Sequence, residues 1–131
     1  MRFGGHETFA LREGWLTKAI HMLNDNHECF VSEFPEDGLG VGRNMAKSIK
    51  HWMVACGVAS RIGLAKDVKK FQLTRMGELI LEHDPHMLSH STWWMIHINL
   101  VNNPSYAYSW DWFFNKWNRT RFERPIVIEG L

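Results

Sequence analysis

Three groups of side chains in this sequence have the types and spacing to do chemistry. The first is His6-Glu7-Thr8, a compact polar constellation just before a helical pattern. An imidazole beside a carboxylate can move protons or hold a metal. Such a cluster more often hydrogen-bonds locally and caps a helix, and we prefer that structural reading. His6 and Glu7 are thus the sole catalytic candidates, and the catalytic residues stay unassigned. The second group is Glu33, Glu36 and Asp37, the one tight set of carboxylates. Phosphodiester hydrolysis usually needs clustered carboxylates around a divalent ion, or an activated nucleophile; here Glu7, Glu13 and Asp67 are scattered and no nuclease motif appears. The third group is basic. Arg43, Asn44, Lys47, Ser48, Lys50 and His51 share one helical face without an acidic residue, and Lys66, Lys69 and Lys70 come after them. Such side chains neutralise phosphates, and an amide such as Asn44 can bond an adenine edge. His86, His90 and His97 also share a stripe, but His90 and His97 are too far apart for one ion and no carboxylate lies between them. No metal site is assigned.

The basic face needs an element to carry it. Met45, Ile49, Trp52, Met53 and Cys56 recur at helical period, which predicts a helix over 44–56 with Gly57 as its left-handed C-terminal cap. Strand-like runs at 61–65 and 68–73, joined by Lys66-Asp67, predict a hairpin within 60–73. Thr74 then caps a helix whose Met76, Leu79 and Ile80 face inward. Helix, hairpin with a lysine tip and closing helix are the order of a winged helix-turn-helix, whose second helix enters the DNA major groove. The helix before it is a weak feature: Pro35 can open one with Glu36 and Asp37 in its first turn, but Gly38, Gly40 and Gly42 make the turn after it loose. The bland alternative is a solvated surface helix in an ordinary α+β domain.

Around this centre the patterns are helical. Leu11, Trp15, Ala19, Met22 and Leu23 predict a helix over 10–23, and 29–31 reads as a short strand. Asp84-Pro85 predicts a helix from His86 to about Val101, so apolar in its second half that burial on nearly every face is expected. Ser105 opens a last helix with Tyr106, Trp110, Phe113, Phe114 and Trp117 on one face, packed as a helical hairpin on its predecessor. A base-stacking role for those rings would require them to be exposed and interleaved with cations; Lys116, Arg119, Arg121 and Arg124 cluster at the end, so core is the preferred reading. Trp15, Ile49, Trp52, Leu79, Trp94, Ile98, Trp110 and Phe113 form the expected buried set. The fold class is mainly α with a small β-hairpin (α+β), a winged helix-turn-helix with an additional C-terminal helical hairpin. Residues 1–117 make the domain, and 118–131 start a linker or following element.

With 131 residues, 45% apolar and 22% charged, the chain supports one ordinary core and is not disordered. A net charge of +1 is too small to announce a nucleic-acid binder, so a basic surface must come from distribution. Cys29 and Cys56 have no CxxC or disulfide-framework spacing, which predicts reduced thiols in a cytoplasmic protein. The opening residues are polar, unlike a signal peptide, and no apolar run is long enough to span a bilayer.

Several blocks carry a resemblance: Gly5-His6-Glu7-Thr8-Phe9, then Leu11-Arg12 and Gly14-Trp15-Leu16, then 39–45 with Ser48-Ile49 and Trp52, then Leu73-Thr74 with Gly77-Glu78-Leu79-Ile80. In order and over nearly the whole chain they resemble a bacterial domain-of-unknown-function family whose members sit beside genes for DNA phosphorothioate modification. The nickase component of the single-strand phosphorothioation systems is similar to it. Members are much longer than 131 residues, so the chain is expected to be an N-terminal fragment. The resemblance implies nicking activity and antiviral defence for the intact protein, with a divalent metal such as magnesium serving that step. This stretch is expected to hold no cofactor and to be inactive alone. The expected partners are double-stranded DNA and other proteins of the modification system, with no membrane. Against DNA binding stand a nicking nuclease whose active site lies in or partly in this chain and, third, a winged-helix protein-protein adaptor without direct DNA contact.

Overall fold

In the computed structural model, which describes residues 6, 7, 9–26, 30, 35–63 and 70–130, the first helix begins where Gly14 turns the chain. Gly14 has φ +81°, and α1 runs Trp15–Asp25 from there. The expected start at Ala10 is too early, because the preceding residues are tied down elsewhere: the Trp52 indole donates to the Phe9 carbonyl at 3.1 Å. Trp15, Leu16, Ala19, Ile20 and Leu23 of α1 are buried.

The short α2 (Pro35–Leu39) opens at Pro35 as expected, with Glu36 and Asp37 in its first turn. The central α3 (Arg43–Ala55) begins within a few residues of its end. The far end of α3 is capped locally. Gly57, at φ +76°, donates to the Val54 carbonyl while Val58 N–H reaches Met53, which is the paired bonding of a Schellman cap. Two orphan carbonyls at this end are also met from afar, because Asn103 Nδ2 donates to Ala55 at 3.2 Å and Asn99 Nδ2 to Cys56 at 3.5 Å.

Strands β1 (Ala59–Arg61) and β2 (Phe71–Leu73) pair antiparallel in the register Ala59↔Leu73, Ser60↔Gln72, Arg61↔Phe71. The hairpin is where the pattern predicts it, with its first strand beginning earlier than residue 61. Phe71 reaches the core and meets buried Phe30 edge-on at 5.7 Å. Residues 29 and 31 of the expected third strand lie outside the described residues.

Thr74 caps α4 (Arg75–His83) as expected. Its hydroxyl accepts from Gly77 N–H at 3.1 Å and donates to the Gly57 carbonyl at 2.6 Å, tying the start of α4 to the end of α3. Ile80 faces the core, Met76 is half-buried, and Leu79 is exposed rather than buried.

The helix α5 (His90–Val101) starts later than predicted. Asp84 does not begin it. Its carboxylate instead holds the loop that leads in, accepting from Leu88 N–H, Ser89 N–H and the Thr92 hydroxyl at 3.0, 3.0 and 2.7 Å. These bonds, the Thr92 hydroxyl foremost, hold the Asp84 carboxyl below its ordinary value of 3.8. A carboxyl whose pKa is depressed by folding stabilises the fold above its unfolded value, and that contribution is lost as pH falls through the folded value. Asp84→Asn is therefore expected to lower the melting temperature at pH 7, with the gap to wild type closing once pH drops below the ordinary aspartate range. Parallel melts at neutral and acid pH check this; a gap independent of pH would assign the loss to geometry alone.

After α5 the expected single helix is broken. A turn at 103–107 leads to α6 (Tyr108–Asp111) and then a π-helical turn over Trp112–Lys116, closed by Trp117 N–H on the Trp112 carbonyl at 2.9 Å. The wider turn rotates every later side chain, so a stripe drawn at 3.6 residues does not stay on one face. Trp94, Met95 and Ile98 of α5 are 65%, 44% and 54% exposed, Trp110 and Phe114 are exposed, and Phe113 is half-buried. The expected aromatic core of this half is therefore largely surface. A final helix, α7 (Arg124–Gly130), brings Gly130 against the Trp112 and Trp117 rings. The core proper lies between α1, α3, the hairpin and α4, around Trp15, Leu16, Ile20, Ile49, Met53 and Ile80.

Candidate nucleic-acid interface

Gly42 precedes α3 in extended conformation and no side chain caps the helix start. Arg43, Asn44 and Lys47 are exposed on the first turns. Each cation has an acidic neighbour: Arg43 Nε lies 3.4 Å from Glu36 of α2, and Lys47 Nζ lies 4.0 Å from Glu7. Both pairs are solvated on at least one side, and exposed pairs of this kind hold their cations weakly. Lys18, outside this helix, donates to the Leu39 carbonyl at the end of α2 at 3.4 Å.

Two members of the expected basic face are elsewhere. Ser48 is fully buried, its hydroxyl donating to the His6 carbonyl at 2.8 Å, and His51 is buried against Trp52 and Tyr106. The segment that carries His6 and Phe9 contributes to both, with Tyr106 also against His51. It lies along α3 as a strap, with the His6 ring stacked on Trp52 at 5.6 Å and Phe9 receiving the Trp52 indole. Lys50 is half-buried, with its ammonium 5.9 Å from the Phe30 ring centroid. The outer face of α3 is thus narrower than a helical wheel suggests.

The hairpin extends one bond past β1, where Ile62 N–H donates to the Lys70 carbonyl at 2.9 Å. Lys70 and Arg61 are exposed there, Arg61 with its guanidinium 5.8 Å from the Phe71 ring. Lys66 and Lys69 lie outside the described residues. Arg61 escaped the sequence reading, as did Arg12, an exposed cation 5.2 and 5.5 Å from the Phe9 and Trp15 rings on the strap. Strand alternation would have set Arg61 on the face of buried Ala59, and nothing local marks Arg12, whose guanidinium meets rings of the strap and of α1.

His6 and Glu7 have structural work in this arrangement. The His6 backbone receives the Ser48 hydroxyl, and its ring is packed on Trp52; Glu7 faces Lys47. Neither caps α1, which starts from Gly14. Burial pushes the Cys56 thiol up to about 12, so it is protonated and no nucleophile. Among the described residues, no three His, Cys, Asp or Glu side chains converge on a point that could hold a metal ion. Of the carboxylates singled out in the sequence, Glu36 lies against Arg43 and Glu7 against Lys47, while Glu33 lies outside the described residues. No helix among the described residues is long and apolar enough to cross a membrane.

A family model described as a protein of unknown function, DUF4007, matches residues 3–131. Two solved structures superpose on nearly the whole chain. A magnesium ion-bound crystal structure of SspB does so with a TM-score of 0.82 and 28% identity, covering 97% of this chain and 40% of that one. A second SspB crystal structure gives 0.80 and 27% over the same shares. The chain thus spans about 40% of the length of the SspB chains it matches. No curated protein is similar enough in sequence to count as a relative.

Proposed function

As the chain belongs to the DUF4007 family and shares its fold with part of SspB, we propose that it is the DNA-binding module of a DNA phosphorothioate modification and defence protein. In this reading α2, α3 and the β1–β2 hairpin work as a winged helix-turn-helix. Arg43, Asn44 and Lys47 meet phosphates or base edges in the major groove, and Lys66, Lys69 and Lys70 of the wing meet the flanking backbone. The observation that carries the reading is the direct succession of α3, with its exposed cationic start, and an antiparallel hairpin in defined register. Nicking belongs, in this reading, to the longer protein, in which magnesium would supply charge stabilisation at the phosphate. The residues of this chain bind and orient the duplex.

Salt titration tests the proposal. Each phosphate neutralised lowers log affinity against log salt by about 0.9. Lys47→Ala is expected to weaken binding to all duplexes alike and to reduce that slope by about one unit. The Lys69/Lys70 double substitution reports on the wing in the same way. Coincident curves for wild type and both variants would remove α3 and the wing as the DNA surface. The chain would then be a winged-helix adaptor that meets other proteins of the modification complex.

A further inference from the structure

The open aromatic face of the C-terminal half has the makings of a binding surface. Trp94 is 65%, Phe114 50% and Trp110 37% exposed. Their rings form a continuous run: Trp94 meets His97 edge-on at 5.7 Å, His97 meets Phe114 at 4.6 Å, and Phe114 stacks on Trp110 at 5.8 Å and 15°. Phe114 stands between two hollows. One, of about 480 Å³, is lined by His90, Trp93, Trp94, His97 and Phe114. The other, of about 370 Å³, is lined by Ser109, Trp110, Trp112, Phe113, Phe114 and Val127. Both volumes suit small planar groups, and no carboxylate lines either.

We propose that this face binds the unpaired bases of a single DNA strand. Exposed rings offer π-faces on which any base can stack, and a cationic margin holds the accompanying phosphates. The margin lies at the far end of the ring run. Phe113 stacks on Trp117 at 6.5 Å, the Arg119 guanidinium sits 5.5 Å from that indole, and Phe122 meets Phe113 edge-on at 5.0 Å. Around Phe122, residues 118–124 carry Arg119, Arg121 and Arg124 against Glu123 alone. Lys116 takes no part, since its ammonium is committed to Asp111 at 2.6 Å. A closed duplex hides the base faces in its own stack, so the ligand is a strand opened by melting or at a nick. These residues are separate from the α3 surface, and the two readings fail separately.

The test is binding of the 131-residue chain to labelled oligothymidylate, followed by anisotropy and tryptophan quenching, beside a blunt duplex of equal length. Stacking contributes about 1–3 kcal/mol per base, and about 1.4 kcal/mol is tenfold. Trp94→Ala and Phe114→Ala are each expected to weaken oligothymidylate binding about tenfold, Trp94→Phe to retain most of it, and Arg75→Ala, an exposed cation of α4, to leave it unchanged. Duplex affinity should ignore Trp94→Ala. Both aromatic positions are half or more exposed, and unchanged melting curves confirm that the variants fold. Failure of the wild type to bind oligothymidylate overturns the proposal, as does equal loss in Arg75→Ala and Trp94→Ala. So does a Trp94→Ala variant whose single changed property is self-association in sedimentation, which would make the face a protein-docking surface.

Discussion

Replacing Trp52 with alanine is expected to lower the unfolding free energy by about 3–5 kcal/mol, the range for truncating a large core aromatic. Trp52 is 6% exposed and, together with Ser48, joins α3 to the segment that precedes α1. Its indole carries the hydrogen bond to Phe9, and its ring packs against His6 and His51 at 5.6 and 5.3 Å. Removing it leaves a cavity, takes the shorter of two donors from the Phe9 carbonyl, and loosens the strap that covers Ser48. Trp52→Phe keeps much of the volume and loses the N–H, so its cost should be clearly smaller. Denaturant melts of the two variants decide the matter: an unchanged curve for Trp52→Ala would contradict the central place given to α3.

Gly77→Ala should be the second large effect, about 2–3 kcal/mol, as overpacking against backbone that cannot give way. A Cβ at Gly77 would overlap the Val58 carbonyl oxygen and crowd Leu73. That carbonyl is already committed, accepting from Thr74 N–H at 3.1 Å. The joint of α3, the hairpin and α4 is therefore closed by the Val58 backbone and the Leu73 side chain, and a methyl group there must push the helices apart. The same change at Gly42, which precedes α3 with open space around it, should be nearly silent. Thermal melts of both variants provide the comparison; equal losses would show that glycine flexibility, and not close approach, governs Gly77.

How far the site was legible depends on where its information lies. Arg43, Asn44 and Lys47 could be placed on an exposed helix start because α3 has one apolar stripe and a glycine stop, both encoded within a few residues. Ser48 and His51 sit at positions a helical wheel assigns to the same face, yet His6 and Phe9 cover Ser48, and His6 and Tyr106 pack on His51. Nothing in their own neighbourhood announces that cover. The later half was misread for a related reason. Hydrophobicity on all faces of α5 predicts burial only if enough partners pack around it, and here Ile96, Leu100 and Val101 find partners while Trp94 and Ile98 do not.

The sequence by itself determined the pieces whose causes are local: the left-handed glycine after α3, the Thr74 cap, the antiparallel hairpin and the spacing of the basic residues. Family blocks in it also pointed to the membership that the match over residues 3–131 establishes. Tertiary structure alone decided which faces became surface. Asn99 and Asn103 dock α5 onto the last carbonyls of α3, which fixes one side of that helix inward and turns Trp94 outward. The π-helical turn after Asp111 then rotates Phe114 out beside it. Burial is a property of pairs of elements, and the period of a single element can say only which residues travel together.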